Sequence, residues 1–253
     1  MFQTLAKHPL SPHNIQDSGV NYMAELQMLP FDIPDKYSRI DDLYDVFFLP
    51  ENLRMHMLRV AVLAERIARH WTGPPLRRNQ MRNVLLIHDI GNILKISNFP
   101  VDMPETGSKE NEQLTLLRKV FDADDHALSS AVAIGIGFDN DIVQLLNRKI
   151  FINNRETFES QDFTQKVCAY ADQRVAPDGI LTLSQRLDEA LERYKDKPGS
   201  SMNNPATPTL IEFAHRIEAQ ISIFFPEELR SSMSDKSIKS DLISLRESPF
   251  PCD

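Results

Sequence analysis

The stretch VLLIHDIGNIL, residues 84–94, is apolar on nearly every side of a helix, yet it contains the ionisable pair His88-Asp89. A helix that is hydrophobic all round is typically buried. An ionised carboxylate in such surroundings costs free energy unless something compensates its charge. Gly91 follows at once and leaves room for a neighbouring element or a ligand. The stretch therefore predicts a buried helix, from about 76 to 96, that carries a polar site.

Two further ionisable residues lie in helix-like segments on either side of this stretch. His56 belongs to a segment from 51 to 71 in which apolar residues recur at helical spacing, and Asp172 lies in a similar segment from 162 to 175. A shared divalent cation is the simplest compensation for imidazole and carboxylate groups beside core residues. Metal sites in helical bundles are built in this way, from side chains on facing helices. The sequence thus predicts a metal site made by His56, His88, Asp89 and Asp172.

The rest of the chain also reads as helical. Further helices are predicted at about 39–48, 110–121, from near His126, at 139–150, over LTLSQRLDEALERYK and at about 208–225. Asp124 or Asp125 can cap the helix that begins near His126, and Thr207 can cap the last one, with Pro208 in its first turn. No segment shows the alternation of a strand, so the predicted class is all-α. Residues 97–110 are predicted to form a loop.

Composition limits the classes of function. The chain has 253 residues, 42% hydrophobic and 25% charged, which is typical of a globular protein with a sizeable core. The formal net charge of -8 argues against a nucleic-acid-binding surface. A small anionic substrate remains compatible with this charge, because a bound cation inverts the local sign. The two cysteines, Cys168 and Cys252, suggest no disulfide framework, and Cys168 is interpreted as a core thiol.

The organisation along the chain predicts three parts. Residues 1–45 are an N-terminal arm, residues 46–198 a metal-binding helical domain, and residues 199–253 a linker, a C-terminal helix and a tail. The tail, from about 231, is rich in Ser, Lys and Asp and is predicted to be disordered. The N-terminus lacks the apolar stretch of a signal peptide, and no apolar run approaches the ~20 residues that span a bilayer. A cytoplasmic location is therefore expected, without a membrane partner.

The order of these residues resembles the HD-domain superfamily of metal-dependent phosphohydrolases. The matching stretches are HMLRVAVLAERIA at 56–68, LLIHDIGNILK at 85–95 and YADQRV at 170–175, and the resemblance covers roughly 46–195. It implies an HD-type helical bundle with an N-terminal arm and a C-terminal helical extension. It also implies that His56, His88, Asp89 and Asp172 bind a divalent ion, often manganese, iron, magnesium, cobalt or nickel.

Two departures from the family pattern bear on this expectation. Many members continue the motif as HDIGK, whereas Asn92 follows Gly91 here and the lysine comes later, at Lys95. Members with two metals supply further histidines between the HD pair and the last Asp, and this chain offers His126 alone. Its placement resembles the extra histidine of the subgroup that hydrolyses dinucleoside polyphosphates. One metal site is therefore expected, and His126 leaves a second one open.

The resemblance implies metal-assisted hydrolysis of a phosphate ester or anhydride, in which the ion activates a bound water. Asp89 is a candidate both as a ligand and as the group that orients this water. Cations are needed for the charge that develops on the phosphoryl oxygens. Arg59 is the first candidate, Lys95 and Arg174 follow it, and Lys109 comes last. The expected substrate is a small, nucleotide-like phosphate compound.

Less specific interpretations remain open for each residue. His88-Asp89 alone could be a structural pair, His126 could be bonded to its own helical turn, and Arg59 and Lys95 could be solvated or salt-bridged. The alternative function is a non-catalytic module that keeps the fold and senses a nucleotide or a partner. An oxygenase needs a di-iron centre with more ligands than the sequence offers. The oligomeric state is open, and a homo-oligomer is compatible with the sequence.

Overall fold

The computed structural model describes residues 33–96, 106–196 and 201–252. The N-terminal arm as far as residue 32, with His8 and His13, lies outside them, and so does most of the predicted loop at 97–110. The α-helices of the described ranges are α1 (Ile40–Val46), α2 (Glu51–Arg69), α3 (Arg78–Ile87), α4 (Thr106–Val120), α5 (Asp125–Gly135), α6 (Asn140–Arg148), α7 (Asn154–Glu159), α8 (Phe163–Asp172), α9 (Leu183–Tyr194), α10 (Thr207–Ile221) and α11 (Lys239–Arg246). The all-α class predicted from the sequence is confirmed.

The core is organised around α2 and α3, which pack along each other, while α8 packs on both. Pro50 precedes α2 and Glu51 stands in its first turn, where a carboxylate interacts favourably with the helix dipole. Ten residues of α2 are buried, most of them apolar. Each of these helices therefore contributes an apolar face to a common core. Each helix in the described residues is too short or too polar to span a lipid bilayer.

The predicted helix from about 76 to 96 is interrupted at the HD pair. The α-helix α3 ends at Ile87, His88 and Asp89 form a turn, and a 3-10 helix runs over Ile90–Lys95. The apolar pattern continues through the break because Ile90, Ile93 and Leu94 are buried in the 3-10 helix as well. Periodicity alone could therefore not reveal where the α-helix ends.

Aspartate caps set the starts of three helices around the site. The side chains of Asp124, Asp139 and Asp162 accept hydrogen bonds from the backbone N–H groups of the first turns of α5, α6 and α8. The predicted cap near His126 is confirmed as Asp124. After α8, two short strands, β1 (Val175–Ala176) and β2 (Gly179–Ile180), form an antiparallel hairpin.

The C-terminal tail is folded, and the prediction of disorder from about 231 is wrong. A 3-10 helix over Asp235–Ile238 leads into α11, and Met233 forms a bridge with Ile180 of β2. A second bridge joins Tyr37 to Phe250. The tail is polar in composition, but its apolar residues are placed so that they reach the core. The buried ones include Ile238, Leu242, Leu245 and Phe250.

Other boundaries differ from the sequence prediction by small amounts. The helix α10 starts at Thr207 with Ala206 as N-cap, so Thr207 lies inside the helix and does not cap it. The helix α4 begins at Thr106, within the segment that was expected to be a loop. Cys168 is fully buried, as expected of a core thiol, and burial raises the pKa of its sulfhydryl well above the usual range.

Candidate metal centre

Three of the four predicted ligands, His56, His88 and Asp172, converge in the structure, and Asp89 lies next to the two histidines. His56 lies in the second turn of α2, His88 and Asp89 form the turn after α3, and Asp172 is the last residue of α8. The Nε2 atoms of His56 and His88 are 3.3 Å apart, and Oδ1 of Asp172 lies 3.3 Å from the first and 3.2 Å from the second. Three helices that are distant in sequence thus bring their ligand atoms to one point.

Asp89 completes this cluster from its more exposed side. Its Oδ2 lies 3.4 Å from Nε2 of His56, and its Oδ1 lies 3.8 Å from Nε2 of His88. The His88 side chain has no exposed surface, whereas that of Asp89 is 28% exposed. The side chains of His56 and Asp172 are 20% and 23% exposed, so the cluster has a buried floor, made by His88, and is partly open to solvent at its other three residues.

The hydrogen bonding of His88 fixes which of its ring nitrogens can bind a cation. Its Nδ1 lies 2.7 Å from the carbonyl oxygen of Leu85. Because a carbonyl oxygen only accepts, Nδ1 must carry the proton and donate it. In a neutral ring the lone pair then belongs to Nε2, which faces His56 and Asp172. A hydrogen bond of this kind behind a histidine orients the ring for metal ligation.

These separations fit a set of ligands on one ion. Divalent ions hold nitrogen and oxygen ligands at about 2.0–2.2 Å, which places neighbouring ligand atoms roughly 3.0–3.5 Å apart. Four distances of 3.2–3.4 Å within the cluster fall in this interval, and the 3.8 Å between Nε2 of His88 and Oδ1 of Asp89 lies just above it. Two imidazoles and two carboxylates also suit borderline and hard divalent ions. The residues present therefore fit a single divalent metal.

Hydrogen bonds from the neighbouring helix α5 fix the turn that carries His88 and Asp89. The hydroxyl group of Ser129 donates to the carbonyl oxygen of His88 at 3.3 Å and accepts from the backbone N–H of Gly91 at 3.0 Å. A Cβ atom on Gly91 would meet the backbone of Asp125. Glycine is needed here because the two backbones approach too closely for any side chain.

A residue that sequence reasoning missed, Lys149, adds a positive charge to the cluster. It follows the last residue of α6, its side chain is 2% exposed, and its Nζ donates to Oδ2 of Asp172 at 2.6 Å. In the sequence it looks like a lysine at a helix C-terminus, where a cation is favourable in any case. Only the packing of α6 against α3 and α5 brings it to the ligands.

The carboxyl groups of the cluster are held in their ionised form. Burial alone would raise the pKa of Asp172, but the ammonium group of Lys149 and the facing imidazoles of His88 and His56 outweigh it and hold this pKa well below the usual range. Burial also opposes ionisation of Asp89, whose pKa is nevertheless lowered by His88 and His56. Both carboxylates are thus available as ligands at neutral pH.

The structure leaves His126 and Lys95 outside the converging ligand atoms. His126 is exposed on the first turn of α5, and among the described residues the atoms that meet within 4.8 Å belong to His56, His88 and Asp172. Lys95 is 60% exposed at the end of the 3-10 helix and pairs with Asp125 at 2.7 Å. Its role towards a substrate stays a prediction.

Arg59 has a structural contact in place of the predicted catalytic one. Its Nε and Nη2 donate to the two carboxylate oxygens of Asp235 at 2.7 and 2.6 Å, and its Nη1 donates to the carbonyl oxygen of Pro177 at 2.6 Å. The side chain is 7% exposed. Because its donors are committed to the C-terminal segment and to the hairpin turn, the guanidinium has no free edge for a phosphoryl group.

The two weaker cation candidates are also placed elsewhere. Arg174 is fully buried and donates to the carbonyl oxygens of Leu181, Leu229 and Ser231, so it fixes the hairpin and the C-terminal segment. Lys109 lies exposed on α4, whereas the sequence predicts a loop there. Lys149, which donates to Asp172, supplies the positive charge that these arginines are predicted to supply.

The comparison with known families agrees with this geometry. The family model of the HD domain matches residues 54–137, about a third of the chain, and supports the resemblance to the HD-domain superfamily over this segment. The match includes His56, His88 and Asp89 and ends before Lys149 and Asp172. The convergence of Asp172 with the other ligands comes from the fold. No curated protein and no solved structure matches the chain.

Proposed function

We propose that this protein is a metal-dependent phosphohydrolase that cleaves a phosphate ester or anhydride of a small, nucleotide-like substrate. The observation that carries the proposal is the convergence of His56, His88 and Asp172 at 3.2–3.3 Å, with Asp89 3.4 Å from His56, in a cluster that is partly open to solvent. A site that only stabilised the fold would not need an opening. The match of the HD-domain family model to residues 54–137 supports the same class of reaction.

His56, His88, Asp89 and Asp172 would hold the ion, with manganese, iron, cobalt, nickel or magnesium as candidates. When bound, a divalent ion supplies a Lewis acid that lowers the pKa of water and polarises a phosphoryl oxygen. His88 provides a preset lone pair from the floor of the site. Asp89 lies on the turn and its carboxylate is 28% exposed, against 23% for Asp172, and we assign it the orientation of the attacking water and the acceptance of its proton.

The proposed substrate class rests on charge. The net charge of -8 disfavours a polyanion such as a nucleic acid, and no nucleic-acid or membrane partner is proposed. A small phosphate compound needs positive charge only where it binds. Lys149 and the bound ion would supply it at the centre, and Lys95 is the exposed lysine that could turn towards a phosphate. Location in the cytoplasm and assembly into a homo-oligomer stay part of the proposal.

The test combines metal content with hydrolysis of a panel of nucleotides and polyphosphates, on the wild type and on Asp89→Asn. This substitution keeps the shape and removes the charge and the proton acceptor. We expect turnover to fall at least about 100-fold. Asp188→Asn, at an exposed carboxylate of α9, is the matched control and should retain full activity.

Three results would contradict the proposal. Folded protein that binds none of the candidate metals would remove its basis. Metal binding without turnover of any phosphate compound would favour the non-catalytic module. Equal loss of activity in Asp188→Asn and Asp89→Asn would show that the effect is not specific to the cluster.

A further inference from the structure

Arg186, near the start of α9, holds its guanidinium group close to the metal-binding cluster. Its Nε donates a hydrogen bond to the carbonyl oxygen of Val175 at 2.7 Å, and Val175 follows Asp172 by three residues. Burial lowers the pKa of this guanidinium, while the negative charges of Glu189 and Asp172 act against the change. The group stays charged at neutral pH. A cation is therefore fixed within electrostatic reach of a ligand carboxylate.

The guanidinium of Arg186 keeps a free edge. Its Nη1 donates to Oε2 of Glu189 at 2.9 Å, whereas its Nη2 has no hydrogen-bond partner among the residues that the structure describes. The side chain is 18% exposed, so the group is anchored and still partly open to solvent. Arg59 differs in this respect, because each of its three guanidinium nitrogens already donates to Asp235 or to a backbone carbonyl oxygen.

A second arginine extends the positive charge along α9. Glu189 accepts from Arg186 with one carboxylate oxygen and from Arg193 with the other. The three residues follow one another at intervals of three and four, so they share one face of the helix. Because two guanidinium groups share a single carboxylate, this set of side chains carries a net positive charge.

We propose that Arg186 binds the phosphate group of the substrate next to the metal ligands. A guanidinium presents parallel N–H donors that match two oxygens of a phosphate, and such bonds are among the stronger ones in proteins. The bond to Val175 already fixes the orientation of the group, so little conformational freedom is lost when an anion binds. The inference rests on the proposed function, because it needs a phosphate compound at this cluster.

The experiment measures the binding of inorganic phosphate to Mn²⁺-loaded protein by isothermal titration calorimetry, so no turnover is needed. In Arg186→Gln we expect the dissociation constant of phosphate to rise roughly tenfold or more, as for the loss of a hydrogen bond to a charged group. Arg155→Gln is the matched control. Arg155 lies exposed on α7 and pairs with Glu159, and its substitution should leave phosphate binding unchanged.

The affinity for Mn²⁺ separates a binding role from a merely structural one. An arginine that only braced the hairpin would act through the position of Asp172, so its loss would weaken Mn²⁺ and phosphate binding together. We expect Arg186→Gln to bind Mn²⁺ as the wild type does. Equal losses for Mn²⁺ and phosphate, or phosphate binding as tight as in the wild type, would overturn the inference.

Glu189→Gln tests the inference without any change at Arg186. It keeps the shape of the side chain and removes the charge that competes with an anion for both arginines. Phosphate should then bind about threefold more tightly at low ionic strength. Unchanged or weaker binding in this variant, with the fold confirmed by circular dichroism, would show that the arginines do not act on the site.

Failure of the proposed function looks different from failure of this inference. Protein that binds no Mn²⁺ would contradict the metal centre as a whole. Protein that binds Mn²⁺ and hydrolyses a phosphate compound, with phosphate affinity unaffected by Arg186→Gln, would contradict only the role of Arg186.

Discussion

Gly91→Ala should destabilise the fold and disturb the metal centre together. A Cβ atom at residue 91 would lie 1.8 Å from the carbonyl oxygen of Asp125, 2.6 Å from its carbonyl carbon and 2.8 Å from its Cα. Ordinary contact begins near 3.4 Å, so the HD turn and the start of α5 would have to separate by roughly 1.6 Å, the difference between that distance and the shortest contact. Backbone atoms cannot rotate away as side chains do, so the separation must move α5 or the turn itself.

The expected loss of stability in Gly91→Ala can be judged from the known cost of overpacking a core. Extra groups forced into a packed core usually cost about 1–3 kcal/mol when side chains can adjust. Because the obstacle at Gly91 is backbone, we expect a loss of at least about 3 kcal/mol. For a chain of this length, that corresponds to a fall in Tm of roughly 6–12 °C. The hydrogen bond from Gly91 to Ser129 would also lengthen, and the affinity for Mn²⁺ should fall because His88 and Asp89 move with the turn.

The assay is thermal and urea unfolding, with Mn²⁺ binding on the folded protein. Gly137→Ala is a suitable control because Gly137 has a φ of 90° and nothing lies within 4 Å of its ideal Cβ. It should cost about 1–2 kcal/mol from backbone conformation alone and leave Mn²⁺ binding unchanged. The reasoning is refuted if Gly91→Ala unfolds within about 1 kcal/mol of the wild type.

Three further predictions concern the C-terminal segment and its partners. Hydrogen bonds from Arg69 and Arg66 overcome the effect of burial and lower the pKa of Asp241. This carboxylate therefore stabilises the fold above its unfolded pKa of about 4 and loses that contribution as the pH falls through its lower folded value. The difference in urea unfolding free energy between wild type and Asp241→Asn should then shrink below about pH 4, and a difference independent of pH would contradict the assignment. Arg174→Met should lower the free energy of unfolding by about 3 kcal/mol or more, because it leaves three buried carbonyl oxygens without a donor. Calorimetry measures this loss. A Tm similar to that of the wild type would show that water replaces the guanidinium as the donor. A chain ending at Arg230 should lack a cooperative thermal transition, because it loses the buried apolar residues of the tail; wild-type-like unfolding would show that the tail packs without stabilising the core.

The order of the ligands and most helices could be predicted because both are local in sequence. Apolar spacing places the helix that carries His56, and Asp124 caps α5 as its residue type predicts. The end of α3 could not be predicted in this way. Apolar residues continue into the 3-10 helix, so a change of helix type leaves no trace in the pattern.

The folded tail and Lys149 were missed for different reasons. The tail is polar overall, but Ile238, Leu242 and Leu245 follow one another at intervals of four and three residues, which is a helical signal that composition obscures. Lys149 gave no such signal, since a lysine at a helix C-terminus is common. Its role depends on the packing of α6, which a single sequence does not specify.

The arginines predicted to bind phosphate serve the site in another way. Arg59 stands one turn after His56, and Arg174 stands two residues after Asp172, so each arginine lies beside a ligand. Both are anchored to the C-terminal segment, Arg59 through Asp235 and Arg174 through backbone carbonyl oxygens of residues 229 and 231. The two elements that carry His56 and Asp172 are therefore fixed to the same segment. Ligand atoms must be held in place within a few tenths of an ångström. The C-terminal segment therefore helps to position His56 and Asp172, although it does not contact the metal centre.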